Sequence, residues 1–386
     1  MDITIQPRLL RGEIQAPPSK SMAHRLLICA ALSDNTTQLL CPETNRDIEA
    51  TVKCLNALGA HIIRTDSGYT VFPFSDIPQS AQLPCGESGA TLRFLLPIAG
   101  ALGVDATFHL EGRLPQRPLC PLWEEMERMG CTLSRPNDHT VRCQGRLQPG
   151  RYHMNGSVSS QFVSGLLFAL PLIPGSNLDI TGKTESAPYI AMTKAVLEQF
   201  QAPNFHSPGR IAVEGDWSSA AFWVAAAYCG CEGLTVSGLD SDSIQGDRAI
   251  LDILPVLVRC FSTISAADIP DLIPILSVVA ADNKGAVFSN IGRLRLKESD
   301  RVASILAMIH ALGGQAEATE ETLTVFGTGL KGGTVDSFGD HRIAMSAAIA
   351  ATVCKQPVTI LGAECVNKSY PGFWDEYACS GGKYGQ

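Results

Sequence analysis

The chain has 386 residues, of which 45% are hydrophobic and 18% are charged, and its formal net charge is −8. A chain of this length can form two domains with large cores, and its composition argues against intrinsic disorder. The negative charge argues against a protein that coats nucleic acid, because such a protein needs a basic surface to release phosphate counterions. Any binding site for an anion must therefore be a local cluster of cations.

The cysteines indicate the redox state of the cellular compartment in which the protein works. The thirteen cysteines are an odd number, and no two of them form a Cys-x-x-Cys pair. The sequence shows no signal-peptide pattern, so we expect reduced thiols in the cytoplasm and neither a metal site nor another cofactor. The longest apolar run, residues 162–174, is too short to span a bilayer, so we expect no membrane partner.

A hydrophobic pattern repeats six times along the chain. In each repeat, small and polar residues open an apolar helix, a short strand follows, and a second helix with one polar face comes next. The apolar helices are predicted to begin near Ser19, Ser88, Ser159, Ser218, Asp271 and Asp340. Because they are apolar on nearly every side, they are typical of helices buried inside a domain. The repeats therefore predict an α/β protein with two domains of three units each, in which short strands lie outside the buried helices.

The remaining elements of the repeat follow the same order. The short strands are predicted at residues 37–40, 106–110, 177–180, 234–236, 286–288 and 358–361. The second helices are predicted at residues 47–58, 118–129, 189–200, 248–258, 301–312 and 370–377. Pro118 would be a first helical residue, which would fix Arg117 directly in front of a helix. The segments 201–210 and 259–267 leave little room for a complete pair of strands, and we expect shortened hairpins there.

Cations collect at several of these helix starts. The Ser or Asp at the start of each apolar helix is explained as an N-cap, which needs no neighbouring cation. An added cation is unfavourable for the helix itself and favourable for a bound anion. Such cations lie in residues 17–25, 113–119, 293–301, 339–342 and 367–371. Each segment alone is explained by a solvated surface cation, but together, in an acidic protein, they predict a site for a doubly anionic small ligand.

Ten motifs follow one another along nearly the whole chain. They are Pro18-Ser-Lys20-Ser21-x-x-His24-Arg25, Gly86-Glu-Ser-Gly89-x-x-x-Arg93, Arg117-Pro118, Ser157-Val-Ser159-Ser160-Gln161, Ser186-Ala-Pro188-Tyr189, Glu214-Gly-Asp216, Ile269-Pro-Asp271, Lys297-Glu298-Ser-Asp-Arg301, Asp340-His341-Arg342 and Lys368-Ser-Tyr-Pro371. In this order, they closely resemble the EPSP synthase family, and the agreement of all ten makes the resemblance specific. The resemblance implies two domains of three βαβαββ units each, one at residues 21–214 and the other at residues 1–20 and 215–386.

The resemblance also implies a reaction. The family transfers the enolpyruvyl group of phosphoenolpyruvate to the 5-hydroxyl of shikimate 3-phosphate and releases phosphate through a tetrahedral addition–elimination intermediate, within chorismate and aromatic amino acid biosynthesis. Both substrates are small anions, and clustered cations can hold them together and reduce the entropy cost of their encounter. We expect a monomer that binds these two small molecules and no nucleic acid.

Residue roles follow from the same resemblance. Shikimate 3-phosphate is expected to contact Lys20, Ser21, Arg25, Ser159, Ser160, Gln161, Ser186, Asp271 and Lys297. Phosphoenolpyruvate is expected to contact Lys20, Gly89, Arg117, Gln161, Arg301, Arg342 and Lys368. Asp271 is the expected base for the hydroxyl, and Glu298 or Lys20 is the expected proton donor to the enol carbon. Considered without the resemblance, Asp271 and Glu298 are equally explained as residues that stabilise helix starts.

The chain departs from the family pattern beside the expected phosphate of phosphoenolpyruvate. Glu87 and Ala90 stand where the family usually has Asn and Thr. Glu87 brings a negative charge toward an anion, which is expected to weaken its binding. Gly89, which lies between these two positions, is retained.

The sequence leaves two other functions open. The related UDP-N-acetylglucosamine enolpyruvyl transferase shares the fold and the phosphoenolpyruvate chemistry, but Lys20, Ser21 and Arg25 and the segment 159–161 favour the shikimate substrate. A noncatalytic clamp that holds nucleic acid is disfavoured by the net charge of −8.

Overall fold

The computed structural model describes residues 1–385, which form two compact units. The first unit comprises residues 18–214, and the second comprises residues 1–17 and the chain from residue 215 onward. Each unit encloses its own hydrophobic core. Each core is built from the helices and sheets of its own unit.

Twelve α-helices and twenty β-strands are formed within the described residues. The helices are α1 Lys20–Leu32, α2 Arg46–Ala57, α3 Gly89–Leu102, α4 Leu122–Arg128, α5 Ser160–Ala169, α6 Ala187–Gln199, α7 Trp217–Tyr228, α8 Ile250–Leu257, α9 Ile273–Asp282, α10 Arg301–Ala311, α11 His341–Ala350 and α12 Phe373–Cys379. The strands are β1 Ile3–Ile5, β2 Gly12–Gln15, β3 Thr37–Leu40, β4 His61–Thr65, β5 Gly68–Phe72, β6 Ser80–Gly86, β7 Asp105–Leu110, β8 Cys131–Ser134, β9 Thr140–Gly145, β10 Arg151–Asn155, β11 Asn177–Thr181, β12 Arg210–Ala212, β13 Leu234–Ser237, β14 Ser262–Ser265, β15 Gly285–Ser289, β16 Gln315–Ala318, β17 Thr322–Phe326, β18 Gly333–Asp336, β19 Val358–Leu361 and β20 Tyr384–Gly385. Among the helices of residues 1–385, none combines the length and the hydropathy required of a membrane span.

The apolar helices of the repeats are buried, as their all-round hydrophobicity predicts. They are α1, α3 and α5 in the first unit and α7, α9 and α11 in the second. Helix α3 buries every residue from 91 to 101, and α9 buries every residue from 273 to 281. An α-helix pairs most of its own backbone polar groups, so one with apolar side chains on every side can be buried at little cost. The predicted α/β architecture of repeated units with buried helices is confirmed.

Helices α3 and α5 approach so closely that one position between them has no room for a side chain. A Cβ atom on Gly165 of α5 would lie 2.2 Å from the carbonyl oxygen of Arg93 in α3. Pro97 lies four residues after Arg93 and has no N–H to donate to that oxygen. The side chain of Arg93 also joins the starts of the two helices, because its Nη1 donates to Oε1 of Gln161 at 2.7 Å.

The strands form six small sheets. Four of them have four strands, in the orders β12-β3-β5-β4, β6-β7-β9-β8, β14-β15-β17-β16 and β18-β19-β1-β20. Each begins with a parallel pair and continues with antiparallel strands, as in the parallel β6 and β7 followed by the antiparallel β9 and β8. The other two sheets have only the parallel pair, β10 with β11 and β2 with β13.

The two-stranded sheets correct the expectation of shortened hairpins. Within the described part of the chain, α6 is followed by β12 and α8 by β14, with no strand between them. Strand β12 pairs with β3, and β14 pairs with β15, so each belongs to a sheet other than β10-β11 or β2-β13. Instead of a hairpin, the segments 201–210 and 259–267 each lead into or contain one strand of another sheet, β12 or β14, so the predicted hairpins are wrong.

One predicted N-cap and one predicted helix start are also wrong. Helix α7 is capped by Asp216, which accepts a hydrogen bond from the N–H of Ser219 at 3.1 Å, so Ser218 lies inside the helix. Helix α4 begins at Leu122 rather than at Pro118. The prediction failed in both places because serine is typical of N-caps and proline of first helical positions, and Ser218 and Pro118 each lie close to the true start of a helix.

Candidate active site

Asp271 is the centre of a cluster of charged side chains in the second unit. It does not cap helix α9, which begins at Ile273, so the predicted N-cap is wrong. Its Oδ1 accepts hydrogen bonds from Nζ of Lys297 at 3.4 Å and from Nη1 of Arg301 at 2.5 Å. Its Oδ2 lies 3.2 Å from Nη2 of Arg342. One carboxylate therefore joins the starts of α9, α10 and α11.

Arg301 is the most buried of these three cations, with a side chain that is 1% exposed. Its Nε donates to Oδ2 of Asp340 at 2.8 Å, and its Nη2 donates to Oε2 of Glu298 at 2.7 Å. Burial alone would lower the pKa of Arg301, but Asp340, Glu298 and Asp271 raise that pKa well above its usual value. The charge of Arg301 is therefore compensated inside the protein by three carboxylates.

Arg342 is held largely by its neighbours' backbone. Its Nη1 donates to the carbonyl oxygen of Asp271 at 3.3 Å and to that of Ser218 at 3.4 Å. Asp340 caps α11 by accepting from the N–H of Arg342 at 3.0 Å, and its other oxygen accepts from Oγ of Ser299 at 3.1 Å. Asp340 thus fixes the start of α11 while it also binds the guanidinium at the start of α10.

Burial opposes the charge of both Asp271 and Lys297, with different outcomes. For Asp271, the attraction of Arg342, Lys297 and Arg301 outweighs burial and holds the pKa well below its usual range. For Lys297, burial dominates and lowers the pKa to about 8 despite the attraction of Asp271. At neutral pH, Asp271 is an ionised acceptor, while Lys297 is a cation that releases its proton more readily than an exposed lysine.

Asp247 belongs to the same surroundings and was not predicted. It is 2% exposed and accepts a short hydrogen bond from Oγ of Ser218. Burial and the negative charge of Asp271 raise the pKa of Asp247 to about 6, against the attraction of Arg342. In the sequence, an acid just before α8 has the pattern of an ordinary first-turn carboxylate. No local signal separates it from the other acids at helix starts.

In the first unit, Arg25 is buried among neutral acceptors. Its Nη1 donates to the carbonyl oxygen of Ser21 at 2.7 Å, and its Nη2 donates to that of Tyr189 at 2.8 Å. Its Nε donates to Oγ1 of Thr193 at 2.8 Å, and its guanidinium lies 5.2 Å from the ring centre of Phe94. Burial lowers the pKa of Arg25 to about 10. These contacts hold the guanidinium firmly, and no carboxylate within residues 1–385 forms an ion pair with it.

Lys20 is the first residue of α1 and is paired with a carboxylate that was not predicted. Its Nζ donates to Oδ2 of Asp47 in α2 at 2.9 Å. The lysine side chain is 20% exposed and the aspartate side chain 9%. Lys20 therefore has a defined direction and still reaches solvent.

Gly89 marks a point where two guanidinium groups approach a helix start. A Cβ atom on Gly89 would lie 2.8 Å from Nη1 of Arg117 and 3.0 Å from Nη1 of Arg93. Arg93 also binds Gln161, so the starts of α3 and α5 and the segment before α4 meet here. The structure brings together three predicted residues, Gly89, Arg117 and Gln161, and adds Arg93, which was not among them.

The predicted serines occupy helix starts. Ser159 caps α5 by accepting from the N–H of Gln161 at 3.3 Å, and the buried Ser160 is the first residue of that helix. Ser186 precedes α6 with φ 55° and ψ 40°, a left-handed conformation that is uncommon for serine and that clusters at ligand-binding sites. Whether these hydroxyls contact a substrate stays a prediction.

Three further predicted positions can be located. Lys368 ends a 3-10 turn, Ala363–Lys368, that follows β19. Glu87 lies against Gly112, where an added Cβ atom would be 2.7 Å from Cδ of Glu87, and Ala90 is half-buried near the start of α3.

Within residues 1–385, no group of three or more His, Cys, Asp or Glu side chains is arranged to hold a metal ion.

Sequence comparisons cover almost the whole chain. The family model described as EPSP synthase (3-phosphoshikimate 1-carboxyvinyltransferase) matches residues 5–262 and 257–377. A 3-phosphoshikimate 1-carboxyvinyltransferase of Clostridium kluyveri is 36% identical over 416 aligned positions, which cover 99% of this chain and 97% of the relative. That of Clostridium acetobutylicum is 37% identical over 421 positions, which cover 98% and 97%. Both alignments are longer than the 386 residues of this chain, so the relatives carry segments that it lacks.

Solved structures share the fold. An EPSP synthase from Acinetobacter baumannii superposes with a TM-score of 0.80 at 22% identity and covers 100% of both chains. The enolpyruvyl transferase NikO from Streptomyces tendae superposes with a TM-score of 0.72 at 17% identity and covers 100% of this chain and 98% of its own. The likeness therefore extends over both compact units.

Proposed function

The chain belongs to the EPSP synthase family, and from that membership we propose that it transfers the enolpyruvyl group of phosphoenolpyruvate to the 5-hydroxyl of shikimate 3-phosphate and releases phosphate. It is accordingly a transferase of the shikimate pathway, on the route to chorismate and the aromatic amino acids. The observation that carries the proposal is the sequence identity of 36% and 37% with two 3-phosphoshikimate 1-carboxyvinyltransferases over 99% and 98% of the chain. The buried cations at helix starts in both units support it, because both substrates are anions.

We propose that shikimate 3-phosphate is held mainly through Arg25 and the hydroxyls around it. The guanidinium of Arg25 is fixed by neutral acceptors and keeps an uncompensated charge, which favours a phosphate. The full set proposed for this substrate is Lys20, Ser21, Arg25, Ser159, Ser160, Gln161, Ser186, Asp271 and Lys297.

We propose that phosphoenolpyruvate is held by cations and by the start of α3. Arg117 lies beside Gly89, where the absence of a side chain lets the guanidinium approach the start of α3, and a cation at a helix N-terminus favours a bound anion. The full set proposed for this substrate is Lys20, Gly89, Arg117, Gln161, Arg301, Arg342 and Lys368. For Arg301, which already binds three carboxylates, a direct contact would require one of them to be displaced.

Asp271 is the proposed base for the 5-hydroxyl. Its low pKa makes it a weak base while Lys297, Arg301 and Arg342 all surround it. Substrate anions that attract Lys297 and Arg342 would weaken this stabilisation and raise the pKa of Asp271. The base therefore becomes effective only when both substrates are bound. It takes the hydroxyl proton as the substrate oxygen forms its bond to C2 of phosphoenolpyruvate.

A proton donor completes the addition, and the same group, now acting as a base, removes a proton from C3 to complete the elimination. C3 of phosphoenolpyruvate gains a proton as C2 is attacked, which gives the tetrahedral intermediate. Loss of a proton from C3 then restores the double bond as phosphate leaves from C2. Glu298, which binds Nη2 of Arg301 at 2.7 Å, and Lys20, which binds Asp47 at 2.9 Å, are both proposed for this step. A carboxylate must gain a proton before it can donate one, whereas a lysine ammonium already carries it.

We further propose that the enzyme works in the cytoplasm as a monomer, with its two substrates as partners and no nucleic acid. The thirteen unpaired cysteines support a reducing compartment, because exposed thiols such as Cys120, Cys260 and Cys379 oxidise readily outside one. The net charge of −8 supports the absence of a nucleic acid partner.

The decisive experiment measures phosphate release from phosphoenolpyruvate with purified protein. Release should require shikimate 3-phosphate and should be accompanied by an equal amount of the enolpyruvyl product. UDP-N-acetylglucosamine serves as the control acceptor and should support no release. Release that is independent of any acceptor, or that follows the control acceptor, would contradict the proposed function.

A further inference from the structure

Four buried polar side chains form a continuous hydrogen-bonded series in the first unit. Nδ1 of His24 lies 2.7 Å from Oγ1 of Thr51, and that oxygen lies 2.7 Å from Oγ1 of Thr91. Oγ1 of Thr91 donates to Oγ of Ser88 at 2.7 Å. Each of the four residues is at most 1% exposed. We call these four residues the buried polar chain, and none of them was predicted to contact a substrate.

The buried polar chain links the starts of three helices that carry candidate substrate-binding residues. In α1, the histidine lies one helical turn after Lys20. In α2, the first threonine lies one turn after Asp47, which binds Lys20 at 2.9 Å. In α3, the serine is the N-cap and directly precedes Gly89. Each member of the chain is therefore adjacent to a residue whose position matters for anion binding.

The histidine sets the direction of the hydrogen bonds. Nε2 of His24 has no hydrogen-bond partner within residues 1–385. Buried N–H groups without an acceptor are rarer than oxygens or ring nitrogens with an unused lone pair, so the proton belongs on Nδ1, which donates to Thr51. Thr51 then donates to Thr91, and Thr91 donates to Ser88. Burial lowers the pKa of His24 to about 3, against the attraction of Asp47, so the ring stays neutral near pH 7.

Simple packing does not explain this arrangement. Burying hydroxyls and an imidazole removes them from water, which apolar residues in the same place would not require. A series of short hydrogen bonds does, however, specify one register between helices, whereas apolar surfaces tolerate sliding. Because a shift of about 1 Å at an active site can reduce a rate by about a hundredfold, a fixed register between these three helix starts has a functional use.

We propose that the buried polar chain positions Lys20 relative to Gly89 for phosphoenolpyruvate, by holding the starts of α1, α2 and α3 in one register. This proposal rests on the proposed function of the same site. Its members are positioning residues, because none of them needs to touch substrate. Gly89 is proposed to contact only phosphoenolpyruvate, whereas Lys20 is proposed to contact both substrates. Breaking the link between α2 and α3 should therefore weaken the binding of phosphoenolpyruvate more than that of shikimate 3-phosphate.

The test compares three variants of the full-length enzyme. Thr91→Val removes the hydroxyl that links α2 to α3, and KM for phosphoenolpyruvate should rise about 5- to 20-fold with a smaller change for shikimate 3-phosphate. Thr91→Ser keeps the hydroxyl and should restore near-normal constants. Thr37→Val is the matched control, because Thr37 is fully buried and binds Oγ of Ser207 at 2.7 Å away from these helix starts. It should change the melting temperature without changing either KM.

Nitrogen NMR of the imidazole gives a second, independent readout. In the wild-type enzyme, the His24 proton should reside on Nδ1, and the signal should not titrate between about pH 5.5 and 8.5. A proton on Nε2, or titration in this range, would overturn the direction of the chain and with it the proposal.

The kinetic measurements distinguish a failure of the positioning proposal from a failure of the proposed function. If the wild-type enzyme is active but Thr91→Val and Thr37→Val give the same constants, the buried polar chain is only structural and the proposal is wrong. Equal loss of affinity for both substrates in Thr91→Val would contradict it as well. If the wild-type enzyme releases no phosphate under any acceptor, the proposed function itself fails, and the positioning role fails with it.

Discussion

Arg25, in the second turn of α1 in the first unit, and Arg301, the first residue of α10 in the second unit, are both buried arginines near helix starts, yet their surroundings are opposite. Arg301 binds three carboxylates, on Asp271, Glu298 and Asp340. Arg25 binds two carbonyl oxygens and a hydroxyl. The same residue type at similar helix positions is therefore neutralised in one unit and left with its charge in the other.

This difference separates two uses of a buried cation. A guanidinium among carboxylates stabilises a network, because removing it would leave negative charges facing one another. A guanidinium among neutral acceptors is oriented but not compensated, so it attracts an incoming anion. The opposite pKa directions agree with this reading, because the pKa of Arg301 is raised and burial lowers that of Arg25 to about 10. We expect Arg301 to matter most for stability and Arg25 most for binding.

The largest effect is expected when the carboxylate at the centre of the neutralised cluster is changed. Asp271→Asn should reduce turnover by about 10² to 10⁴, about 3 to 5 kcal/mol of barrier, because the base is lost. Arg301 and Arg342 keep their charges, so affinity for phosphoenolpyruvate should hold or increase, whereas Lys297 loses the attraction of Asp271 that raises its pKa. Steady-state rates and calorimetry on the same variant measure the two effects.

A matched variant decides which carboxylate acts. Glu298→Gln leaves Asp271 in place and tests the proton donor separately. Near-normal turnover of Asp271→Asn at saturating substrate would mean that Asp271 only organises the cations. Glu298 would then be the only predicted carboxylate left for the proton transfers.

The next largest effect is on stability, and it compares the two arginines directly. Arg301→Met should destabilise the protein by about 3 to 5 kcal/mol, because the buried Asp340 and the partly buried Asp271 and Glu298 lose their shared cation. Arg25→Met makes the same replacement among neutral acceptors and should cost less than about 2 kcal/mol. Thermal unfolding of both variants tests the difference. Equal losses of stability would refute the distinction between a neutralised and an uncompensated cation.

Binding should show the reverse order for Arg25. Arg25→Met should weaken shikimate 3-phosphate by about 1.5 to 3 kcal/mol, the value of a charge-assisted contact, and turnover at saturation should change less. Calorimetry with shikimate 3-phosphate measures the affinity. Arg25→Lys is a control that keeps the charge but cannot make the same three hydrogen bonds. Unchanged affinity in Arg25→Met would remove this residue from the proposed site.

The smallest effect concerns pH and Lys297. Burial lowers the pKa of Lys297 to about 8, so its charge is lost above that pH in the free enzyme. Affinity for shikimate 3-phosphate should therefore fall above pH 8, by about tenfold per pH unit if the charge is essential. Lys297→Arg should abolish this dependence, because arginine stays charged. Titration of both proteins by calorimetry from neutral to alkaline pH is the measurement.

The lowered pKa of Lys297 also makes the stability of the protein depend on pH, in a direction that can be derived. Lys297 has a pKa near 8 in the folded protein and 10.5 as its ordinary value. Between these values the unfolded chain binds more protons than the folded one, so the contribution of Lys297 to stability rises as pH rises through this window. Lys297→Arg should flatten that rise in melting temperature between about pH 8 and 10.

Much of the architecture was predictable because it depends on local periodicity. The helices that are apolar on every side were recognised from their composition, and they are the ones that each core encloses. The short strands near residues 37–40 and 358–361 lie where they were predicted. The missing hairpins after α6 and α8 could not be deduced, because β12 and β14 pair with strands of other sheets. Only the tertiary pairing shows which sheet a short strand joins.

The sequence by itself determined that cations stand at helix starts, because Lys20, Arg25, Lys297, Arg301 and Arg342 are visible in its motifs. It could not determine what each cation faces. Arg301 meets Asp271 from 30 residues before it and Asp340 from 39 residues after it, whereas Arg25 meets Tyr189 and Thr193, more than 160 residues away. Helix starts obey local rules of capping and dipole, but the charge that compensates a buried cation comes from whichever helix packs against it. The tertiary structure therefore decided which arginine is neutralised and which keeps its charge for a ligand.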